Sequence, residues 1–111
     1  MIDPRIEREV YLLHRRVCPA LGDPKRLLIL YALAEGALCV NELVEVLQIS
    51  QPTISRHLRV LRERGLVNTE RKGTAIYYSL ADRRLIQAVD LLRAVLKAQM
   101  AAEADVAQAL A

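Results

Sequence analysis

The sequence predicts a mainly α-helical domain with one small β-hairpin. Apolar residues recur at three- and four-residue steps along most of the chain, and this period changes to two between residues 67 and 80. Hydrophobic residues make up 53% of the composition, but aromatic residues only 4%. A core built from Leu, Val, Ile and Ala suits packed helices better than a β-sandwich. The length predicts a single domain, residues 1–111, with a modest core.

The first two predicted helices are delimited by prolines and by one capping aspartate. An apolar stripe covers residues 4–17, and Pro19 is expected to end this helix near Cys18, because the residue before a proline is biased away from helical geometry. Asp23 can cap the free amides of the next helix, and Pro24 suits its first helical position. The pattern therefore predicts two helices separated by a short turn.

The third and fourth predicted helices form a close pair. A short helix is expected at about residues 39–47, and a longer one runs from Gln51 to Arg64 with Ser50 as its N-cap. Gly65 is expected to end the longer helix in a left-handed conformation, which glycine adopts without steric cost. Its side chains expected to face the core are Ile54, Leu58 and Leu61.

A β-hairpin and a long last helix complete the predicted fold. Residues 67–80 alternate with period two and turn at Lys72-Gly73, which predicts two short antiparallel strands. The last helix is expected over residues 82–105, with fraying of its alanine-rich tail. The predicted order is therefore α-α-α-α-β-β-α, with five helices.

Positive charge is concentrated in one part of the chain. The net charge is +3, but residues 50–72 contain six basic and two acidic side chains, whereas the rest of the chain contains ten basic and eleven acidic ones. Binding to phosphates would require such a cluster. The basic side chains of this segment are Arg56, Arg59, Arg62, Arg64, Arg71 and Lys72.

The helix pair at 39–64 and the hairpin at 67–80 occur in the order of a winged helix-turn-helix. The outward face of the longer helix carries amide, hydroxyl and guanidinium groups, which can bind bases and phosphates in a major groove. The tip of the hairpin, or wing, is expected to contact the DNA backbone or a minor groove. The predicted DNA-binding residues are Ser50, Gln51, Thr53, Ser55, Arg56, His57, Arg59, Arg71 and Lys72.

The role of His57 and the functional class leave alternatives open. A histidine here can touch a phosphate, or it can pack at the boundary between two helices. The sequence has no carboxylate pair, nucleophile–base arrangement or phosphate-binding glycine loop, which argues against an enzyme. A protein-interaction module that has lost DNA binding is the other alternative, and the basic segment at 50–72 argues against it.

The chain resembles the arsenic-repressor (ArsR/SmtB) family of bacterial regulators in four blocks, which occur in the family's order and spacing. These blocks are residues 21–27 (LGDPKRL), 39–43 (CVNEL), 50–58 (SQPTISRHL) and 73–80 (GTAIYYSL). The resemblance implies a homodimer packed through the first and last helices, which binds an inverted repeat in double-stranded DNA and represses transcription until an inducer releases it. The apolar residues expected in the dimer interface are Val10, Leu13, Leu85, Val89, Leu92 and Leu96.

The metal and metalloid sites of that family are only partly matched. The resemblance places a two-cysteine metalloid motif on the third helix, where this chain has Cys39 but carries Asn41 instead of the second thiol. The family's zinc or nickel site on the last helix keeps one carboxylate and no imidazole here, so neither ion is expected there. The matching positions of that site are Asp82, Arg84, Val95 and Ala98.

The two cysteines, Cys18 and Cys39, allow three interpretations. Both can be small buried hydrophobes, as free cysteines often are. They can instead form a disulfide or polysulfide bridge that releases DNA, since Cys39 lies at a predicted helix N-terminus, where the helix dipole favours a thiolate. They can also bind a metalloid, although such an ion prefers several thiolates. No cofactor is expected apart from such a thiol-bound metalloid or sulfur species.

The sequence predicts neither a signal peptide nor a membrane span. Its apolar runs are short, and the amino terminus is charged from Asp3 onward. Two cysteines are too few for the disulfide framework of a secreted scaffold. A cytoplasmic protein without a membrane partner is therefore expected.

Overall fold

The computed structural model describes residues 1–111 and contains six helices and three short strands. None of these helices has both the length and the apolar character needed to cross a bilayer. The predicted order of elements is present, with a one-turn helix and a two-residue strand added to it. The elements are α1 (Pro4–Arg16), α2 (Cys18–Leu21), α3 (Pro24–Leu33), β1 (Leu38–Cys39), α4 (Val40–Leu47), α5 (Gln51–Glu63), β2 (Val67–Lys72), β3 (Ala75–Leu80) and α6 (Arg84–Leu110).

Helix α1 ends close to its predicted end, and a one-turn helix, α2, lies in the segment after it that the sequence predicts as a short turn. Asp3 caps α1 by accepting a hydrogen bond from the backbone N–H of Arg5 at 2.8 Å, and the helix ends at Arg16. The separate helix α2 begins at Cys18. Pro19 has no N–H to donate and is tolerated in the first turn of a helix, so the chain starts a new helix at this point.

Helix α3 begins as its capping signal predicts. The Asp23 carboxylate accepts a hydrogen bond from the backbone N–H of Lys25 at 2.8 Å, and Pro24 occupies the first helical position. Strand β1, in which Leu38 and Cys39 pair with β3, is not predicted from the sequence. Two residues are too few to show a period, so only the partner strand decides their conformation.

The sheet is antiparallel with strand order β1-β3-β2. Strands β2 and β3 pair from Val67 opposite Leu80 to Lys72 opposite Ala75, which places the two-residue turn one position later than predicted. Gly73 occupies the first turn position with φ 65°, as a two-residue hairpin with a type II′ turn requires.

Helix α6 is longer than predicted. It spans 27 residues and stays helical to Leu110, five residues beyond the predicted end at residue 105. Alanine has the highest intrinsic helix propensity, which favours continuation of the helix through this tail. The helix begins at Arg84 instead of at Asp82, whose carboxylate accepts hydrogen bonds from the backbone N–H and guanidinium of Arg84. These hydrogen bonds lower the pKa of Asp82 to about 2.

The hydrophobic core lies between α3, α4, α5 and the hairpin. Helix α1 has no buried residue, and α6 buries only Val89. Most apolar residues of these two helices are therefore exposed in the single chain, whereas Leu85 and Ile86 of α6 pack against the core. The core consists of Ala20, Ile29, Leu30, Leu33, Leu43, Ile54, Leu58, Leu61, Leu66 and Val67.

Candidate nucleic-acid interface

The turn between α4 and α5 sets the direction of the longer helix. Gln48 closes α4 in the left-handed region, with φ 55°. Ser50 occupies the N-cap position of α5, as predicted, but its hydroxyl donates to Thr53 Oγ1 at 3.0 Å and does not cap a backbone amide. Gly65 follows the helix with φ 75°, which confirms the predicted left-handed end. The local signals at the two ends of α5 are therefore Pro52 in its first turn and Gly65 after its last turn.

The two faces of α5 differ in burial and in chemistry. Its inward apolar side chains belong to the core, as predicted. Gln51, Arg56 and Arg59 are exposed, whereas Thr53 and Ser55 are half-buried. Neither arginine forms a salt bridge within the chain. The outward face therefore offers two unpaired guanidinium groups and one amide, and their contact with DNA remains a prediction.

Two side-chain hydrogen bonds order the first turn of this face. The Gln51 amide donates to Ser55 Oγ at 2.8 Å, and Ser50 bonds to Thr53 as described above. Ser50 and Thr53 are three residues apart, and Gln51 and Ser55 are four apart, which are the spacings that bring side chains together on a helix. In the free protein, the polar groups of this turn therefore bond to each other.

The wing adds two further cations. Arg71 and Lys72 are exposed near the end of β2. The Lys72 ammonium lies 5.6 Å from the centre of the Tyr77 ring on β3, a cation–π distance. Tyr77 is not among the predicted site residues, because only the strand register brings it next to Lys72.

His57 does not lie on the outward face of α5, and its prediction as a DNA-binding residue is wrong. Its side chain is buried, and the residue is only 5% exposed. Arg26 Nη1 lies 3.2 Å from its Nδ1, and Asp23 Oδ1 lies 4.0 Å from its Nε2. Burial lowers the pKa of His57, while Asp23 opposes this shift. The structure therefore supports the alternative of a histidine at a helix boundary.

The predicted dimer residues fall into two groups. Val10, Leu13, Leu92 and Leu96 are each more than half exposed, whereas Leu85 is half-buried against the core. Val89 is only 8% exposed, which corrects its assignment to the interface surface. It lines a groove of its own chain. The residues that share this groove with Val89 are Pro24, Leu27, Leu28, Tyr31 and Arg93.

The two cysteines are free and lie in different surroundings. Cys18 is exposed at the start of α2, and Cys39 is half-buried at the N-cap of α4. The Glu42 carboxylate accepts a hydrogen bond from the backbone N–H of Cys39 at 3.1 Å. That bond and a second one from the thiol lower the pKa of Glu42. No three His, Cys, Asp or Glu side chains of one chain converge in a group that could hold a metal ion.

A helix pair with a cationic outward face, followed by a two-stranded wing, defines the class of winged helix-turn-helix DNA-binding proteins. The family model described as the bacterial regulatory protein, arsR family, matches residues 23–69. A regulator of Methanocaldococcus jannaschii, the uncharacterized HTH-type transcriptional regulator MJ1325, is 39% identical over 85 residues, which cover 76% of this chain and 96% of that protein. The chain belongs to the arsR family of transcriptional regulators, which are not enzymes.

Several solved structures share this fold. The transcriptional repressor BigR from Xylella fastidiosa is 34% identical, with a TM-score of 0.74 over 86% of this chain and 96% of that one. The homodimeric winged helix-turn-helix DNA-binding domain of Mb0332 from Mycobacterium bovis is 28% identical, with a TM-score of 0.73 over 89% and 91% of the two chains. Some other curated relatives are matched over only about half of their own length.

Proposed function

We propose that this chain is a transcriptional repressor that binds an inverted-repeat operator as a homodimer. The observation that carries this proposal is the exposed face of α5, where Arg56 and Arg59 have no acidic partner in the chain. Buried or paired arginines would be part of the fold, whereas unpaired exposed ones on a helix of this orientation are available to a polyanion.

The geometry suggests that α5 contacts the bases and that the wing contacts the DNA backbone. A major groove admits one α-helix, and α5 would enter it with its exposed face toward the bases. The Gln51 amide can bond to adenine, and Arg56 or Arg59 can bond to guanine or to a phosphate. Arg71 and Lys72 on the wing would then follow the backbone of the duplex.

The dimeric state is supported by the uncovered apolar surfaces of α1 and α6. A monomer would expose their leucines and valines to water, whereas a second copy can bury them. The Mb0332 domain, which shares the fold, is homodimeric. Two-fold symmetry of the protein would match the two halves of an inverted repeat.

Replacement of Arg56 and Arg59 by Ala is expected to weaken binding to the operator by at least about a hundredfold. The parent protein should bind a labelled duplex from the region upstream of its own gene, with an affinity that falls steeply as salt rises, because counterions are released. Fluorescence anisotropy at several salt concentrations measures both quantities. The double variant should also show a shallower dependence on salt, since it neutralises fewer phosphates.

Arg5→Ala is a matched control for this experiment. Arg5 is an exposed arginine on α1, about fifty residues before Arg56 in the sequence, and its only ion pair is with Asp3. The Arg5→Ala variant should bind the operator with the same affinity as the parent at every salt concentration. Equal affinity of the Arg56/Arg59 double variant and the parent would contradict the assignment of α5 as the recognition helix.

We further propose that thiol chemistry at Cys18 and Cys39 regulates DNA binding. Both thiols are free, and Cys39 joins two parts of the site: it caps α4 and pairs with Tyr77 of the wing. We therefore expect a bond to its sulfur to shift the start of α4 and the strand that pairs with Tyr77. Disulfide formation removes two protons and two electrons from the two thiols, and hydrogen peroxide accepts them to give two molecules of water.

Treatment of the parent with hydrogen peroxide or polysulfide is expected to lower its operator affinity by about tenfold or more, a typical allosteric effect. Cys18→Ser and Cys39→Ser should both lose this response, and mass spectrometry should show the bridge in the parent alone. A parallel treatment with arsenite tests metalloid binding. If Cys39→Ser responds to every treatment as the parent does, both forms of thiol regulation are wrong.

A further inference from the structure

The segment between α1 and α3 is held by a single guanidinium group. Arg26 Nε donates to the Ala20 carbonyl at 2.7 Å, and Arg26 Nη2 donates to the Pro19 carbonyl at 3.0 Å. Both carbonyls belong to α2, a helix of one turn. So short a helix cannot satisfy its own terminal carbonyls, and the arginine does so in its place.

The same guanidinium reaches α5. Its Nη1 lies 3.2 Å from His57 Nδ1. A guanidinium has only donors, so Nδ1 must be the acceptor, and the proton of the neutral ring is then on Nε2, on the side of Asp23. The planar fork of Arg26 thus joins α2 to α5 through three defined hydrogen bonds, a geometry that lysine cannot reproduce.

His57 directly follows Arg56 in the helix that carries the exposed cations. Its ring is buried under α3, so its position is set by its contacts and not by solvent. Any shift of His57 displaces Arg56 and Arg59 as well, because all three lie within two turns of one helix.

We propose that Arg26 is a positioning residue for DNA recognition, which holds α5 in its reading orientation through His57, and that protonation of His57 releases this hold. The inference deepens the proposed function and rests on it. Protonation would convert the acceptor Nδ1 into a second donor facing the Arg26 donor, so the hydrogen bond could not persist.

The charges around His57 favour its neutral form. Lys25 and Arg26 on α3 and Arg56 on α5 face it with positive charge, and Asp23 alone opposes them, while α2 carries no charged side chain. Burial is the largest influence and also acts against the imidazolium, so the pKa of His57 lies below its usual 6.5. The hydrogen bond between Arg26 and His57 is therefore intact near pH 7 and is lost on acidification.

The test is a pH profile of operator affinity at constant ionic strength between pH 8 and 5.5, with thiols kept reduced. At pH values below the pKa of His57, we expect the operator affinity of the parent to fall by up to about tenfold per pH unit. His57→Asn should give a flat profile, because its amide oxygen replaces Nδ1 as an acceptor that does not titrate. His14→Asn, which removes the only other histidine, should keep the profile of the parent.

The Arg26→Met variant is an independent test of the role of Arg26. At pH 7.5 it should reduce operator affinity by about tenfold, as expected for loss of a charge-assisted hydrogen bond, while circular dichroism shows a folded protein. If this variant does not fold, the His57→Asn profile alone decides. Parallel profiles for His57→Asn and the parent would overturn the inference, and so would unchanged affinity of a folded Arg26→Met protein. A parent that binds no operator at any pH would refute the proposed function itself, and this inference with it.

Discussion

Leu58→Ala is expected to lower the free energy of unfolding by about 2–5 kcal/mol, the range for truncation of a fully buried leucine. Leu58 is 1% exposed on the inner face of α5, and it lies in the core with Ile54 and Leu61. Its removal loses the transfer free energy of the side chain and leaves a cavity that the neighbouring helices can only partly fill. Because α5 also carries the DNA-binding face, operator binding should fall with the folded fraction.

Urea unfolding at one fixed protomer concentration measures this effect, since the stability of a dimer depends on concentration. Val46→Ala is the control: Val46 lies on α4 but is 61% exposed, so its truncation should change stability by less than about 0.5 kcal/mol. Similar losses in both variants would mean that the inner face of α5 does not form the core described here.

A double substitution, Leu92→Glu with Leu96→Glu, is expected to give a folded monomer with operator affinity reduced by about 10²–10⁴-fold. Both side chains are more than half exposed on α6, and neither contributes to the core of its own chain. Glutamate at both positions would place four carboxylates in an apolar interface between two copies, which is strongly unfavourable. A monomer binds only one half of an inverted repeat and so loses the gain from linked binding.

Sedimentation velocity and anisotropy measure the two expected effects on the same sample. Ala94→Glu is the control, because it adds one glutamate to the same helix on the side opposite Leu92 and Leu96. It should remain dimeric and bind the operator. A dimeric Leu92/Leu96 variant would contradict the assignment of α6 to the interface, and a monomer with full affinity would contradict binding as a dimer.

Local chemistry explains why most elements were predictable. Asp23 followed by Pro24, Pro52 in the first turn of α5, and Gly65 and Gly73 at positive φ each act within a few residues of the chain. Such signals depend on backbone sterics and on nearby amides, which the sequence contains in full. The period of the apolar residues then assigned the inner face of α5 correctly.

Several of the features that were missed depend on distant partners. Strand β1 exists because Leu38 and Cys39 meet β3, almost forty residues away in the sequence. Tyr77 reaches Lys72 only through the strand register. Val89 continues the apolar stripe of α6, and no local pattern shows that its own chain covers it.

The sequence by itself determined the class of this protein: the order of its helices and wing, its cationic segment and the outward placement of Arg56 and Arg59. These properties follow from spacing and charge along one short stretch. Only the tertiary structure decided that His57 faces Arg26 and not solvent, that residues 18–21 form the separate helix α2, and that Val89 is covered. Each of these depends on a surface contributed by another element, and burial and hydrogen bonding across such surfaces cannot be read from the order of residues alone.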